Sequence, residues 1–247
     1  MTILGIDTAT SQASVALLRD DEMIAKQICP ESESTDPSSS ARQKNHSEIL
    51  IPLIKAVLDE AGIALRDLAG VAVSIGPGSF TGVRIGLSTA KGIAFGCEIP
   101  LIGISTLQAY AATEETSQLV CALLDARKDE VYMAIFQRQD GRQERLTHDL
   151  VLPIAQAVEY LGQHIDGQRC ALTGEGAYRF REHFERALGE RVQVQTKLSR
   201  YLAASVAQLG RERIGAGARD DLSELTPAYV SLSQPEVKRQ LADKLSV

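Results

Sequence analysis

Between Ser74 and Gly92 the chain reads SIGPGSFTGVRIGLSTAKG, an apolar strand running into a turn of Gly76, Pro77 and Gly78 and then into a helix crowded with small residues. The turn supplies one fixed φ and two positions free to take φ > 0, so it bends the backbone sharply at a strand end, where loops often serve sites. The helix repeats small residues at spacing four, with Gly82, Gly86 and Ala90 on one stripe and Ser88, Gly92 and Gly96 on another. Each interior glycine costs a helix about 1 kcal/mol relative to alanine, so the stripes predict that another backbone comes close. The expectation is a partner helix.

At 247 residues there is enough chain for one large domain or two small ones, and the 44% apolar and 23% charged residues are those of an ordinary soluble globular protein. The net charge of −6 gives the molecule no positive field to attract a phosphate backbone, which disfavours direct nucleic-acid binding. Cys29, Cys97, Cys121 and Cys170 form no CxxC pair, so a structural zinc site or disulfide framework is not expected and a reduced, cytoplasmic setting is. The first residues form an apolar strand without a basic leader, and no apolar run approaches the ~18 residues that span a bilayer, so neither export nor a membrane location is expected.

Thr2 to Ile6, Ala13 to Leu18 and Met23 to Ile28 read as a strand meander around the polar turn Asp7 to Gln12. The Ser- and acid-rich stretch Pro30 to Asn45 reads as a loop that buries nothing. Asn45 and Glu48 stand at capping-box spacing before a helix that Gly62 closes, and with Ile49 and Ile51 added its apolar arc is wider than one core-facing stripe needs. A strand from Val71 to Ile75, the small-residue helix, a strand from Leu101 to Ile104 and a helix from about Ser105 to Thr113 give the order βββαβαβα. The second half starts again with strands at Leu119 to Leu124 and Val131 to Gln137 around the turn Asp125 to Glu130, then a strand through Arg145 to Val151 and a helix from Ile154 to Leu161. A strand from Cys170 to Thr173, a helix from Arg179 to Leu188, a strand from Val192 to Gln195 and a helix from Leu202 to Glu212 complete it. Strand, acidic turn and strand thus occur twice, and the expected division is 1–110, 111–230 and a tail, 231–247, with a short helix from Pro235 to Leu245.

Duplicated βββαβαβα units with an acidic residue in each first hairpin resemble the two-domain α/β fold of the actin, Hsp70 and sugar-kinase superfamily, built on RNase H-like domains. Within it the chain is similar to the TsaB (YeaZ) family of bacterial tRNA threonylcarbamoyladenosine (t6A) biosynthesis. The resemblance is carried by Ile3 to Thr10 with Ser14 to Leu17, by His46, Ser47, Glu48, Leu50 and Pro52, by Gly76 to Gly92, by Gly103 to Leu107, and by Asp125 to Arg127 with Glu130 to Tyr132. Pro227-Ala228-Tyr229-Val230 resembles the family's C-terminal element, although Ser231 stands where an Arg is usual. The resemblance implies a scaffold that does no chemistry itself, forms a homodimer when alone, and exchanges that contact for a catalytic paralogue, TsaD. The paralogue transfers threonylcarbamoyl to N6 of adenosine 37 in tRNAs reading ANN codons, a TsaE ATPase joins the assembly, and tRNA is met only through the complex.

The expected partner interface comprises His46, Ile49, Leu50, Leu53, Ile54 and Val57 of the first helix with Gly82, Val83, Arg84, Gly86, Leu87 and Ala90 of the second, Arg84 acting as a polar anchor. On that reading Gly86→Leu abolishes association and leaves the monomer folded. His46 has Arg42 four before it and Leu50 four after, whereas a metal site needs three or four protein ligands, so no metal is expected. Asp7, Thr8, Thr10, Asp125 and Arg127 mark a vestigial nucleotide cleft: Ala9 and Arg127 stand where ATP-using relatives place glycines, and no tightly bound cofactor is expected, with ATP or ADP held only in the assembled complex. Ser79 and Thr81 are N-cap candidates with no His neighbour to make a nucleophile pair, and Gly174-Glu175-Gly176 resembles a turn that abuts adenosine in relatives. The competing reading is an ATP-dependent kinase or transferase working in its own interdomain cleft.

Overall fold

The computed structural model describes residues 1–29, 46–139, 142–195 and 201–230. The meander of β1 (Thr2–Asp7), β2 (Ser14–Arg19) and β3 (Glu22–Ile28) leads to α1 (His46–Ala61), β4 (Gly70–Gly76), α2 (Phe80–Cys97), β5 (Leu101–Ser105) and α3 (Thr106–Ala111). The second half comprises β6 (Leu119–Arg127), β7 (Glu130–Gln139), β8 (Arg142–Arg145), β9 (Leu150–Pro153), α4 (Ile154–His164), β10 (Cys170–Thr173), α5 (Glu175–Arg179), α6 (Arg181–Leu188), β11 (Val192–Val194) and α7 (Leu202–Gly215). The strand orders are β3-β2-β1-β4-β5 and β11-β10-β6-β7-β8, with β9 also on β7. This is the duplicated, two-sheet α/β fold that the strand and helix order predicts.

β1 has no alternation of apolar and polar residues because both of its faces are covered. Leu4 and Ile6 join Leu50, Ile54, Val57 and Leu87 beneath α1 and α2, while Ile3 joins Val206 and Ala207 of α7 on the other face. α7 presses hard on that face: a Cβ on Gly5 would lie 2.2 Å from the Ala203 carbonyl, and one on Gly210 would lie 2.2 Å from the Ala72 methyl. α3, from the first half, packs against β6 and β7 of the second sheet as well as β4 and β5 of the first. Ile104, Leu107, Tyr110, Val120, Phe136 and Leu202 therefore form one core shared by both halves. The expected division at 110/111 marks the change of sheet, but α7, which it places with the second half, packs on the first sheet. Helical periodicity shows that α7 has an apolar face without showing which sheet receives it.

Glu114 fixes the connection between α3 and β6. Its carboxylate accepts the Thr116 hydroxyl at 2.6 Å, the Thr116 and Ser117 amides at 2.8 and 3.1 Å, and the Gln195 side chain. Burial raises its pKa, but these bonds outweigh burial and hold it at about 2 against an ordinary 4.5. The linker's bonds are thus present above pH 4.5 and lost as the pH falls towards 2.

Two elements differ from expectation. The strand expected through Arg145 to Val151 is two short strands, because the Ile135 amide turns to the Thr147 hydroxyl at 2.9 Å and breaks the ladder between β8 and β9. The helix expected from Arg179 to Leu188 is α5 and α6, separated at Phe180, whose non-helical backbone (φ −104°, ψ 19°) carries its ring into the second core. The Pro30 to Asn45 loop, the Asn45 cap and the Pro235 to Leu245 helix lie outside the described residues. Among the described residues no helix is long and apolar enough to cross a membrane.

Candidate functional site

The small-residue stripe of α2 meets a backbone of its own chain. A Cβ on Gly82 would lie 2.0 Å from the Thr8 carbonyl oxygen, and one on Gly86 would lie 2.2 Å from Thr8 Oγ1. Thr8 lies in the first hairpin turn and donates its hydroxyl to the Gly82 carbonyl at 2.7 Å. The Ser79 hydroxyl caps α2 by accepting the Gly82 amide at 3.2 Å, as one of the two cap candidates would. The close approach implied by the glycines is therefore intramolecular.

This corrects most of the expected interface. Ile49, Leu50, Ile54, Val57, Val83, Leu87 and Ala90 are all buried within the chain, as are Gly82 and Gly86, while His46 and Leu53 are half-buried. Of the twelve, Arg84 is exposed. A helix laid on a sheet spends its main apolar stripe on that sheet, and α1 and α2 both lie on the first one. Facing outward instead are Ile51 of α1, 58% exposed, and Phe80 and Phe95 of α2, 54% and 77% exposed. Arg84, Ser88 and Phe95 fall on one outward stripe at spacings of four and seven. The surplus apolar arc in the α1 sequence was the signal for Ile51; Phe80 and Phe95 sit off the inward stripe and carried the same signal.

The residues expected at a nucleotide cleft lie in the first hairpin turn of each half. Asp7 is fully buried, and its carboxylate accepts the Ala9 amide at 3.2 Å and the Thr10 hydroxyl at 2.9 Å. Burial raises its pKa against these bonds. The Ala9 carbonyl accepts the Ser79 amide at 2.7 Å, and Gly78, with φ 153°, brings its α-carbon so near that a Cβ would sit 2.3 Å from that carbonyl. A phosphate seated on this turn would draw on the amides of Ala9 and Ser79, and both are already donated within the chain. The second turn is held differently. Lys128 and Asp129, with φ of 50° and 58°, close β6 and β7 as a mirror-image two-residue turn without glycine, and Arg127 is also left-handed at φ 69°. Asp125 accepts the Arg127 amide at 2.9 Å and pairs with Arg179.

α5 joins the two turns. Its Glu175 accepts the Ser11 hydroxyl at 2.8 Å, and its Arg179 takes Asp125. The Gly174-Glu175-Gly176 segment serves this packing, since a Cβ on Gly174 would lie 2.2 Å from the Leu123 carbonyl. Thus Asp7, Thr8 and Thr10 come together in one bonded turn, whereas Asp125 and Arg127 belong to a second, ion-paired one. Among the described residues no group of three or more His, Cys, Asp or Glu is placed to hold a metal ion.

The C-terminal segment returns to the first half and completes the outward face. Asp220 accepts the Gly103 amide at 2.7 Å and donates its own amide to the Leu101 carbonyl at 3.0 Å, which caps the exposed edge of β5. Farther on, the Ala228 amide donates to the Ile75 carbonyl at 2.7 Å, against Gly76, whose φ of 107° and missing Cβ leave room for the Ala228 carbonyl. Tyr229 then lies over the start of α2, its ring centroid 5.3 Å from that of Phe80. Beneath it is a cavity of about 110 Å³ lined by the Gly76 to Gly78 loop, Val83, Pro227 and, from the second half, Tyr132.

A family model described as "TsaD: tRNA N6-adenosine threonylcarbamoyltransferase" matches residues 35–237. The chain is 31% identical over 240 residues, 96% of its length and 97% of the relative's, to the tRNA threonylcarbamoyladenosine biosynthesis protein TsaB of Bacillus subtilis. It is 40% identical over 145 residues, 57% of each chain, to the protein of the same name from Escherichia coli. The solved structure of YeaZ from Pseudomonas aeruginosa superposes with a TM-score of 0.72 at 28% identity, covering 92% of this chain and 99% of that one. With 31% identity over nearly the whole length of one relative and the same architecture as another, the chain belongs to the TsaB (YeaZ) family.

Proposed function

We propose that the chain is a scaffold subunit of t6A biosynthesis, pairing with a TsaD-like catalytic paralogue through the outward faces of α1 and α2. The observation that carries this reading is the set of exposed apolar side chains Ile51, Phe80 and Phe95 on two helices whose inward apolar stripes are already buried in the core. In the same reading a second copy of the chain takes this face when the paralogue is absent, a TsaE-like ATPase joins the complex, and tRNA is reached only through the partner. The paralogue, and not this chain, transfers threonylcarbamoyl to N6 of adenosine 37 in tRNAs reading ANN codons. Nucleotide is held only by the assembled complex, since the amides a phosphate would need in the first turn are committed. The competing reading, a kinase or transferase using its own cleft, requires the turn to detach from Ser79. Calorimetry of the isolated chain with ATP and Mg²⁺ separates the two: the scaffold reading expects no heat at micromolar nucleotide, and micromolar binding would contradict it.

A further inference from the structure

Arg84 is held in one orientation by the chain itself. Its guanidinium carbon lies 3.7 Å from the Phe80 ring centroid and 5.8 Å from that of Tyr229, and its Nε donates to the Tyr229 hydroxyl at 2.8 Å. Tyr229 is fixed in turn by the Ala228 amide on Ile75 and by its contact with Phe80. Among the described residues the Nε has an acceptor and the two Nη groups have none, so the forked end of the guanidinium is offered to solvent beside two aromatic rings that are each about half exposed.

We infer that the Phe80, Arg84 and Tyr229 cluster is a pre-oriented fork for a carboxylate side chain of the protein that docks on α2. This inference rests on the scaffold reading above. A guanidinium whose rotamer is already fixed loses little entropy on pairing, and its geometry matches a carboxylate held by two parallel bonds. Three features favour a protein carboxylate over a phosphate of nucleic acid. The net charge of −6 repels a polyanion, the rings beside the fork are of a kind enriched in protein interfaces, and an arginine covered by an apolar partner needs an ionised acceptor there. The C-terminal segment thereby becomes part of the docking surface, because it brings the tyrosine that aims the arginine.

The test measures the affinity of the full chain for the TsaD-like paralogue of the same organism, beside the NMR signal of the Arg84 Nε–H in the isolated chain titrated with acetate and with inorganic phosphate. The expected losses are about 100-fold for Arg84→Ala and about tenfold for Arg84→Lys, which keeps the charge without the fork, with a smaller loss for Tyr229→Phe, which keeps the ring without the hydroxyl. Arg84→Lys binding as the parent does would overturn the fork. If the parent chain ignores the paralogue, the scaffold reading fails, and the NMR titration still decides the site. An Arg84 signal that moves with acetate supports the fork; one that moves with neither anion, or with phosphate at far lower concentration than acetate, overturns the carboxylate assignment.

Discussion

The two small-residue stripes of α2 look alike in the sequence and do opposite things. Gly82, Gly86 and Ala90 face Thr8 and the first sheet, where a Cβ on Gly82 or Gly86 would collide at 2.0 or 2.2 Å, whereas a Cβ on Gly92 or Gly96 would have nothing within 4 Å. Spacing shows that glycines share a stripe, but only the neighbour decides whether the stripe is a contact or a vacant surface. The first stripe lets a turn sink against a helix. On the outward face, the Arg84, Ser88 and Phe95 side is the one with aromatic and charged groups to offer.

Substitutions can break this contrast in order of expected size. Gly82→Ala and Gly86→Leu drive atoms into Thr8, and each should destabilise the isolated chain by about 3 kcal/mol or more in urea unfolding. This replaces the expectation that Gly86→Leu spares the monomer, and a variant as stable as the parent would refute the inward contact. Thr8→Val removes the bond to the Gly82 carbonyl and should cost about 1 kcal/mol in the same assay. The outward side has the reverse sign: Gly92→Ala should stabilise by about 1 kcal/mol through helix propensity, and a loss would mean that Gly92 touches something. Phe95→Ser should change stability by less than ~0.5 kcal/mol while weakening association.

The inward contact also carries a pH signature. Asp7 has a raised folded-state pKa, caused by burial, so its contribution is greatest below the ordinary carboxylate value of 3.8 and is lost as the pH rises through the folded value. The stability of the parent relative to Asp7→Asn should therefore fall as the pH rises from 3.8 towards neutrality. A difference that grows with pH would mean that hydrogen bonds to the carboxylate outweigh its burial.

Much of the fold could be read directly because strands covered on both faces appear as unbroken apolar runs, as in Ile3 to Ile6 and Leu119 to Leu124, and because the acidic hairpin recurs. What the residues could not reveal was assignment between equivalent partners. The apolar faces of α3 and α7 fit either sheet; α7 lies on the sheet of the other half, and α3 touches strands of both. The same ambiguity placed Leu50, Val57 and Leu87 at an interface when they belong to the core. Arg84 is legible as a candidate polar residue of α2, but its orientation depends on Tyr229, 145 positions away, which no local pattern reports.

The most direct measurement is the mass, by light scattering, of the chain mixed with its TsaD-like paralogue, for the parent and for the double variant Ile51→Asp, Phe95→Asp. The parent should form a one-to-one complex, and the variant should be a folded chain that stays apart from the paralogue. A variant that assembles as the parent does would show that the outward face of α1 and α2 is not the docking surface.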